Sequence, residues 1–153
     1  MYPDSRVAQF VTEHFLPVRV HARQQRDEFK RLGERFDAQW TPTILVIDPS
    51  GKERHRIEGF LPADDFIAQL ALGRGHAMFG RGEFAEAARQ FEEVMQRHPQ
   101  TDAAPEARYW LGVSRYKETD DAAPLAETAR DMQKRYPDST WAKKASVWMP
   151  ADV

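Results

Sequence analysis

The sequence predicts an α/β half with a small sheet, followed by an all-α half of helical hairpins closed by a capping helix. Two observations carry this. Residues 1–72 alternate helix-period and strand-type patterns, and residues 73–153 hold helix-period patterns with an internal repeat. The boundary is expected between residues 72 and 73. A third observation bounds the chemistry. None of the 153 residues is cysteine, which removes disulfides, thiolate nucleophiles and Cys-based zinc sites together.

Asp4 or Ser5 is placed to cap a helix whose apolar positions are Val7, Phe10, Val11 and Phe15. Leu16 to His21 is short and β-branched and reads as a strand. From Gln25 to Phe36 the apolar set Phe29, Leu32 and Phe36 makes one stripe of an amphipathic helix, with Gly33 on the same side. Thr43-Ile44-Leu45-Val46-Ile47 is a continuous apolar run, suited to a strand covered on both faces. Asp48-Pro49-Ser50-Gly51 has the chemistry of a tight turn. Glu53 to Gly59, charged apart from Ile57, fits a guarded edge strand. Pro62 then opens a helix carrying Phe66, Ile67 and Leu70.

At Trp40-Thr41-Pro42-Thr43 the chain resembles the thioredoxin-like family. A Thr-Pro-Thr before a buried strand, then Asp-Pro-Ser-Gly-Lys and a charged strand ending in Gly59, is similar to the second half of that fold. Tyr2-Pro3-Asp4 with Val7, Phe10, His14-Phe15 and Pro17-Val18 is similar to the segment that follows the family's Cys-x-x-Cys. The likeness covers about residues 2–72. It implies a cis Thr41–Pro42 peptide at the rim of a peptide-binding groove, with Trp40, Thr41 and Pro42 as candidate contacts. The family's first strands and active-site motif have no counterpart in this sequence. The missing strand is central in the family, between the counterparts of Leu16–His21 and Thr43–Ile47. Three alternatives are open: the two strands pair directly, another chain supplies a strand, or Met1 is an internal methionine of a longer reading frame.

The second half carries Gly75, Met78-Phe79, Gly82-Glu83-Phe84-Ala85-Glu86-Ala87, Phe91 and Pro99. This pattern resembles a tetratricopeptide (TPR) repeat. Small Gly75 and Ala87 permit close helix approach, Phe84 and Phe91 fill the seam, Gly82 breaks the chain and Pro99 ends the second helix. Residues 99–110 align with 137–148 through Pro-x-[Thr/Ser]-x-x-Ala-x-x-Ala-x-x-Trp. Thr101 or Asp102, and likewise Ser139, are expected caps. Trp110-Leu111-Gly112 with Tyr116 adds a first-helix signature, and a helix near Ala122 to Tyr136 follows. A last helix ending near Trp148 resembles a solenoid cap. The resemblance spans about residues 66–148, so the helix from Pro62 is expected to run into the first repeat helix. It implies a groove with Arg108, Tyr109, Arg115 and Tyr116 as candidate peptide contacts.

The formal net charge is −2, with basic and acidic residues interspersed. That describes a solvated surface and argues against nucleic acid as a partner. Without a membrane-spanning apolar run or a signal-peptide layout, the sequence reads as cytoplasmic and independent of membranes. His14 is expected to border the core and His21, His55, His76 and His98 to be exposed. None has ligand spacing, so no metal is expected, and no cofactor is implied. Trp40, Trp110, Trp141 and Trp148 are expected in core and helix-pair packing. The reading is a non-catalytic thioredoxin-like/TPR protein that binds protein or peptide clients. The alternatives are a fragment or mis-started form of a thiol–disulfide oxidoreductase whose Cys-x-x-Cys lies upstream of Met1, and a structural homodimer with exchanged strands.

Overall fold

The computed structural model of the chain describes residues 3–151; Tyr2, part of the family-like segment, lies outside them. Asp4 caps the first helix, α1 (Ser5–His14), by accepting from the Arg6 N–H at 2.9 Å. Val7 is buried, and Phe10, Val11 and Phe15 pack beside it on the first apolar cluster. The second helix, α2 (Arg26–Phe36), follows the expected stripe, though Phe29, Leu32 and Phe36 are only half-buried. Strands β1 (Thr43–Ile47) and β2 (Glu53–Glu58) form an antiparallel hairpin and the entire sheet. Asp48 closes its turn by accepting from the Ser50 and Lys52 N–H groups, from the Ser50 hydroxyl and from Arg54 at 2.7 Å. The Ser50 hydrogen bond and then Arg54 hold its carboxyl far below the usual carboxylate range.

The expected strand Leu16–His21 does not form. Leu16 is 98% exposed and Val18 86%, and the backbone from Leu16 to Val20 makes no hydrogen bond among the described residues. Extended backbone becomes a strand only when a neighbour supplies partners, and β1 does not come alongside. Direct pairing of the two stretches is therefore not adopted. The same missing neighbour corrects a second expectation. In β1 only Val46 is fully buried, so the strand is not covered on both faces.

Ala63–Gly80 (α3) runs unbroken through residues 72 and 73. Its first turns place Phe66, Ile67 and Leu70 in the cluster with Val7, Val46 and Ile57. Ala68, Ala71 and Leu72 belong instead to the cluster of the helical half. Two glycines on nearly opposite sides allow both contacts. A Cβ on Gly73 would lie 2.8 Å from Val46 Cγ2, and one on Gly75 would lie 2.5 Å from the Phe91 ring.

Gly82, at φ +78°, turns the chain into α4 (Phe84–Arg97), which packs antiparallel on α3 with Phe91 fully buried. A second hairpin follows, α5 (Ala103–Thr119) and α6 (Ala123–Arg135), and then the short α7 (Thr140–Ala145) with a 3₁₀ turn, Ser146–Trp148. The repeated alanines Ala104, Ala107, Ala142 and Ala145 are all buried. Ser139 caps α7 through the Trp141 N–H at 3.1 Å. Neither Thr101 nor Asp102 caps α5 with its side chain; the Thr101 hydroxyl donates back to the His98 carbonyl at 2.8 Å. Gly112 lets α6 approach so closely that a Cβ there would overlap the Thr128 hydroxyl. No helix among the described residues is long and apolar enough to cross a membrane.

The hairpin meets the helices through stacked histidines. His55 on β2 and His76 on α3 lie 5.6 Å apart between ring centroids. His55 bonds Gln69 at 2.7 Å, and His76 faces Glu106 at 3.3 Å with the Phe91 and Trp110 rings against it. The expectation that both were exposed is thus corrected: His55 packs on α3, and β2 and α5 cover His76. Burial pushes the His55 pKa below its ordinary 6.5, and His76 adds to the lowering. The Gln69 bond and the Glu106 and Glu53 carboxylates work against it.

Gly75→Ala and Gly112→Ala test the packing. Helix propensity alone favours alanine by about 1 kcal/mol. Overlap with Phe91 or Thr128 reverses the sign, and each variant should lose about 1–3 kcal/mol in urea denaturation. A stabilised variant would contradict the close approach. His55 yields a second prediction. Its folded pKa lies below the unfolded value of 6.5, so just below pH 6.5 the unfolded chain binds the extra proton. Stability should fall as pH drops from 6.5 towards the folded pKa, by at most about 1.4 kcal/mol per pH unit for one proton. Urea midpoints between pH 7.5 and 5.5 should decline less for His55→Gln than for the wild type; parallel curves would remove this assignment.

Candidate functional site

Trp40, Thr41 and Pro42 stand together at one corner of the hairpin. The Thr41–Pro42 peptide is cis, as the family likeness implied. The corner is held from both sides: the Thr43 hydroxyl donates to the Trp40 carbonyl at 2.6 Å, and the Gly59 N–H donates to the Pro42 carbonyl at 2.9 Å. Gly59 has φ +85°, a backbone state that suits glycine. Thr41 itself makes no backbone hydrogen bond among the described residues. Trp40 is 67% exposed and Phe60, just past Gly59, is 71% exposed. Trp40 is therefore a surface residue and not part of the expected core packing, because no element folds over this corner. Phe60 was not singled out from sequence. An aromatic residue directly after the glycine that ends an edge strand was the available signal.

The four α5 candidates do not share a face. Arg108 and Arg115 lie seven residues apart on the side facing α4 and α6. They line a cleft of about 420 Å³ with Glu92, Leu111, Arg130 and Lys134. Tyr109 turns towards the cap, stacking on Trp148 at 4.7 Å and tilting against Trp141 at 5.1 Å. Tyr116, seven residues on from Tyr109, is half-buried. Arg108 is a buried residue in an ionic and hydrogen-bonded lock. Its Nε donates to Asp131 at 2.5 Å and its Nη1 to the Thr128 hydroxyl at 3.0 Å, which in turn donates to the Pro124 carbonyl at 2.7 Å. Its guanidinium thus joins α5 to α6. Arg115 reaches Glu92 at 3.7 Å and is half-exposed.

The remaining histidines and tryptophans are distributed through the packing. His14 lies against the Phe10 ring at 4.6 Å. With His98 it lines a cleft of about 230 Å³ between α1, α3 and α4, where burial lowers both pKa values. His98 and His21 are half-buried, not exposed as expected. Trp110 packs between Phe79, His76 and Tyr109, with its indole N–H buried and without an acceptor among the described residues. No group of three or more histidine, aspartate or glutamate side chains is arranged to hold a metal ion among the described residues.

Residues 2–73 match the family model of a thioredoxin-like domain. The first half is therefore a thioredoxin-like domain, with its cis-proline corner present and no cysteine in the chain. No curated protein matches the chain, and no solved structure does.

The role of Arg108 is open to a direct measurement. Asp131→Ala leaves a buried guanidinium with only Thr128 as partner and should cost about 3 kcal/mol. Adding Arg108→Met to that variant should recover a substantial part of the loss, because an apolar side chain of similar length removes the uncompensated charge. Additive losses in urea denaturation would show that Arg108 is not locked to Asp131.

Proposed function

We propose, from a thioredoxin-like domain without thiols, that this chain is a non-catalytic protein-binding module. On this reading the hairpin corner is its contact surface, and two tetratricopeptide-like hairpins with a capping helix are its scaffold. The observation that carries this is the exposed corner at Trp40 and Thr41. Exposed Trp40 stands beside the unused backbone N–H and C=O of Thr41, so an aromatic anchor and a pair of hydrogen-bonding groups sit side by side. Aromatic anchors of this kind dominate binding energy at protein interfaces. Backbone groups at a strand end give an extended peptide a register. The buried alanines and paired helices of the second half support the repeat reading, and the lock at Arg108 gives that residue a structural role.

The test is capture of clients from a lysate by the immobilised full chain, combined with a peptide array. Specific clients should appear in both, and absence from both would count against the reading. Turnover of an insulin-type disulfide by the purified polypeptide would overturn its non-catalytic part. Trp40→Ala should weaken client binding at least tenfold, corresponding to about 1.4 kcal/mol or more. Because Trp40 is exposed, the unfolding free energy from urea denaturation should stay within about 0.5 kcal/mol of the wild type.

A further inference from the structure

The cleft of about 420 Å³ between α4, α5 and α6 carries an excess of positive charge in a chain whose formal net charge is −2. Arg108, Arg115, Arg130, Lys134 and Arg135 line it, against three carboxylates. Those carboxylates leave much of the excess in place. Asp131 is shared between Arg108 at 2.5 Å and Arg135 at 3.4 Å. Glu92 lies 3.7 Å from Arg115, beyond hydrogen-bond distance. Glu127 lines the cleft one turn before Arg130 and is not paired with it. The side chains of Arg130 and Lys134 are exposed and make no ion pair or hydrogen bond among the described residues.

The cations are strung along the cleft. The contacts of Arg108 with Asp131 and of Gly112 with Thr128 show that α5 and α6 run antiparallel, so Arg115 lies at the opposite end from Lys134. Arg130 stands between them. Arg130 and Lys134, four residues apart on one helix, share a face about 6 Å apart and repel each other. An extended peptide rises about 3.3 Å per residue, so its alternate side chains are spaced by about 6.6 Å on one face. That matches the step from Arg130 to Lys134. The acidic residues of the lining then select among anions. A nucleic-acid backbone presents phosphate acceptors, which Glu92 and Glu127 repel. A peptide places N–H donors between its carboxylates, and these can bond the two glutamates.

We propose that this cleft binds an extended acidic segment of another protein, whose carboxylates at alternate positions meet Arg115, Arg130 and Lys134. The site is separate from the corner at Trp40 and lies in the other half of the chain. Arg108 is a positioning residue here. Its bonds to Asp131 and Thr128 fix α5 against α6 and so hold the three cations at their spacing.

The probe is a labelled, capped peptide with Glu-Ser-Glu-Ser-Glu at its centre, titrated with the full chain and followed by fluorescence anisotropy. Saturable binding is expected, and it should weaken as salt rises. Replacing the peptide's glutamates by glutamine should weaken it at least tenfold, as should the double variant Arg130→Glu/Lys134→Glu. Circular dichroism of that variant should match the wild type, since both side chains are exposed and unpaired; if it does not, Arg130→Gln/Lys134→Gln takes its place in the same assay. Undiminished binding by the folded variant would overturn the proposal. So would a glutamine peptide bound as tightly as the acidic one, or no saturable binding up to about 1 mM. A labelled single-stranded oligonucleotide bound as tightly as the peptide would overturn it in favour of a nucleic-acid site. A tenfold loss in Trp40→Ala would place the peptide at the corner and overturn the cleft assignment. Absence of peptide binding, with clients still captured through Trp40, would remove the cleft and leave the protein-binding reading of the corner in place.

Discussion

Helix α3 is buried around most of its circumference, and both halves of the chain are built on that one burial. Phe66, Ile67 and Leu70 complete the core of the hairpin half, while Ala68, Ala71 and Leu72 begin the core of the helical half. A helix with apolar contacts on all sides cannot stand in water alone, so each half supplies cover that the other lacks. The contacts are close because the residues between them are small. Gly73 admits the Val46 and His55 side of the hairpin, and Gly75, turned to the other side, admits the Phe91 ring. A two-stranded hairpin is marginal by itself. Here it is held by a helix that is already fixed by α4 and α5.

Much of this was legible in local patterns. The turn at Asp48 to Gly51, the stripes of α1 and α2, the break at Gly82 and the recurring alanines all read correctly, since each depends on residues near in sequence. The continuity of the Pro62 helix through residues 72–75 was legible as well, because that stretch holds little linker character. What failed depended on neighbours. Leu16–His21 has strand composition, yet composition cannot provide the adjacent backbone that makes a strand. His55 and His76 look solvated in sequence and are stacked only because β2 crosses α3. The cis-proline corner was legible as a motif, but the exposure of Trp40 was not, since exposure reports on what fails to cover a residue.

Arg108 shows why a basic residue on a packed helix is ambiguous in sequence. It sits between Ala107 and Leu111, in the buried stripe of α5, and a charge there is tolerable only if paired. Asp131 and Thr128 on α6 supply the pair, and Gly112 permits the approach that lets them reach. The clue was the apolar context of the arginine, not its charge. Tyr109 shows the converse. One position further round the helix, it packs into the aromatic cap formed with Trp141 and Trp148. Adjacent residues on a helix serve different partners, so a run of attractive residue types does not define a groove.

The balance of used and unused groups then bears on function. Asp48, His55, His76 and Arg108 are engaged in hydrogen bonds or ion pairs that join elements. In the first half, unused capacity lies in backbone and apolar surface: the peptide groups of Thr41, and the exposed side chains of Leu16, Val18 and Trp40. Such surface costs free energy while it faces water and recovers it when another chain covers it. In this thioredoxin-like domain, with no thiol in the chain, those charged groups hold elements together, and the surface left facing water includes backbone and apolar side chain.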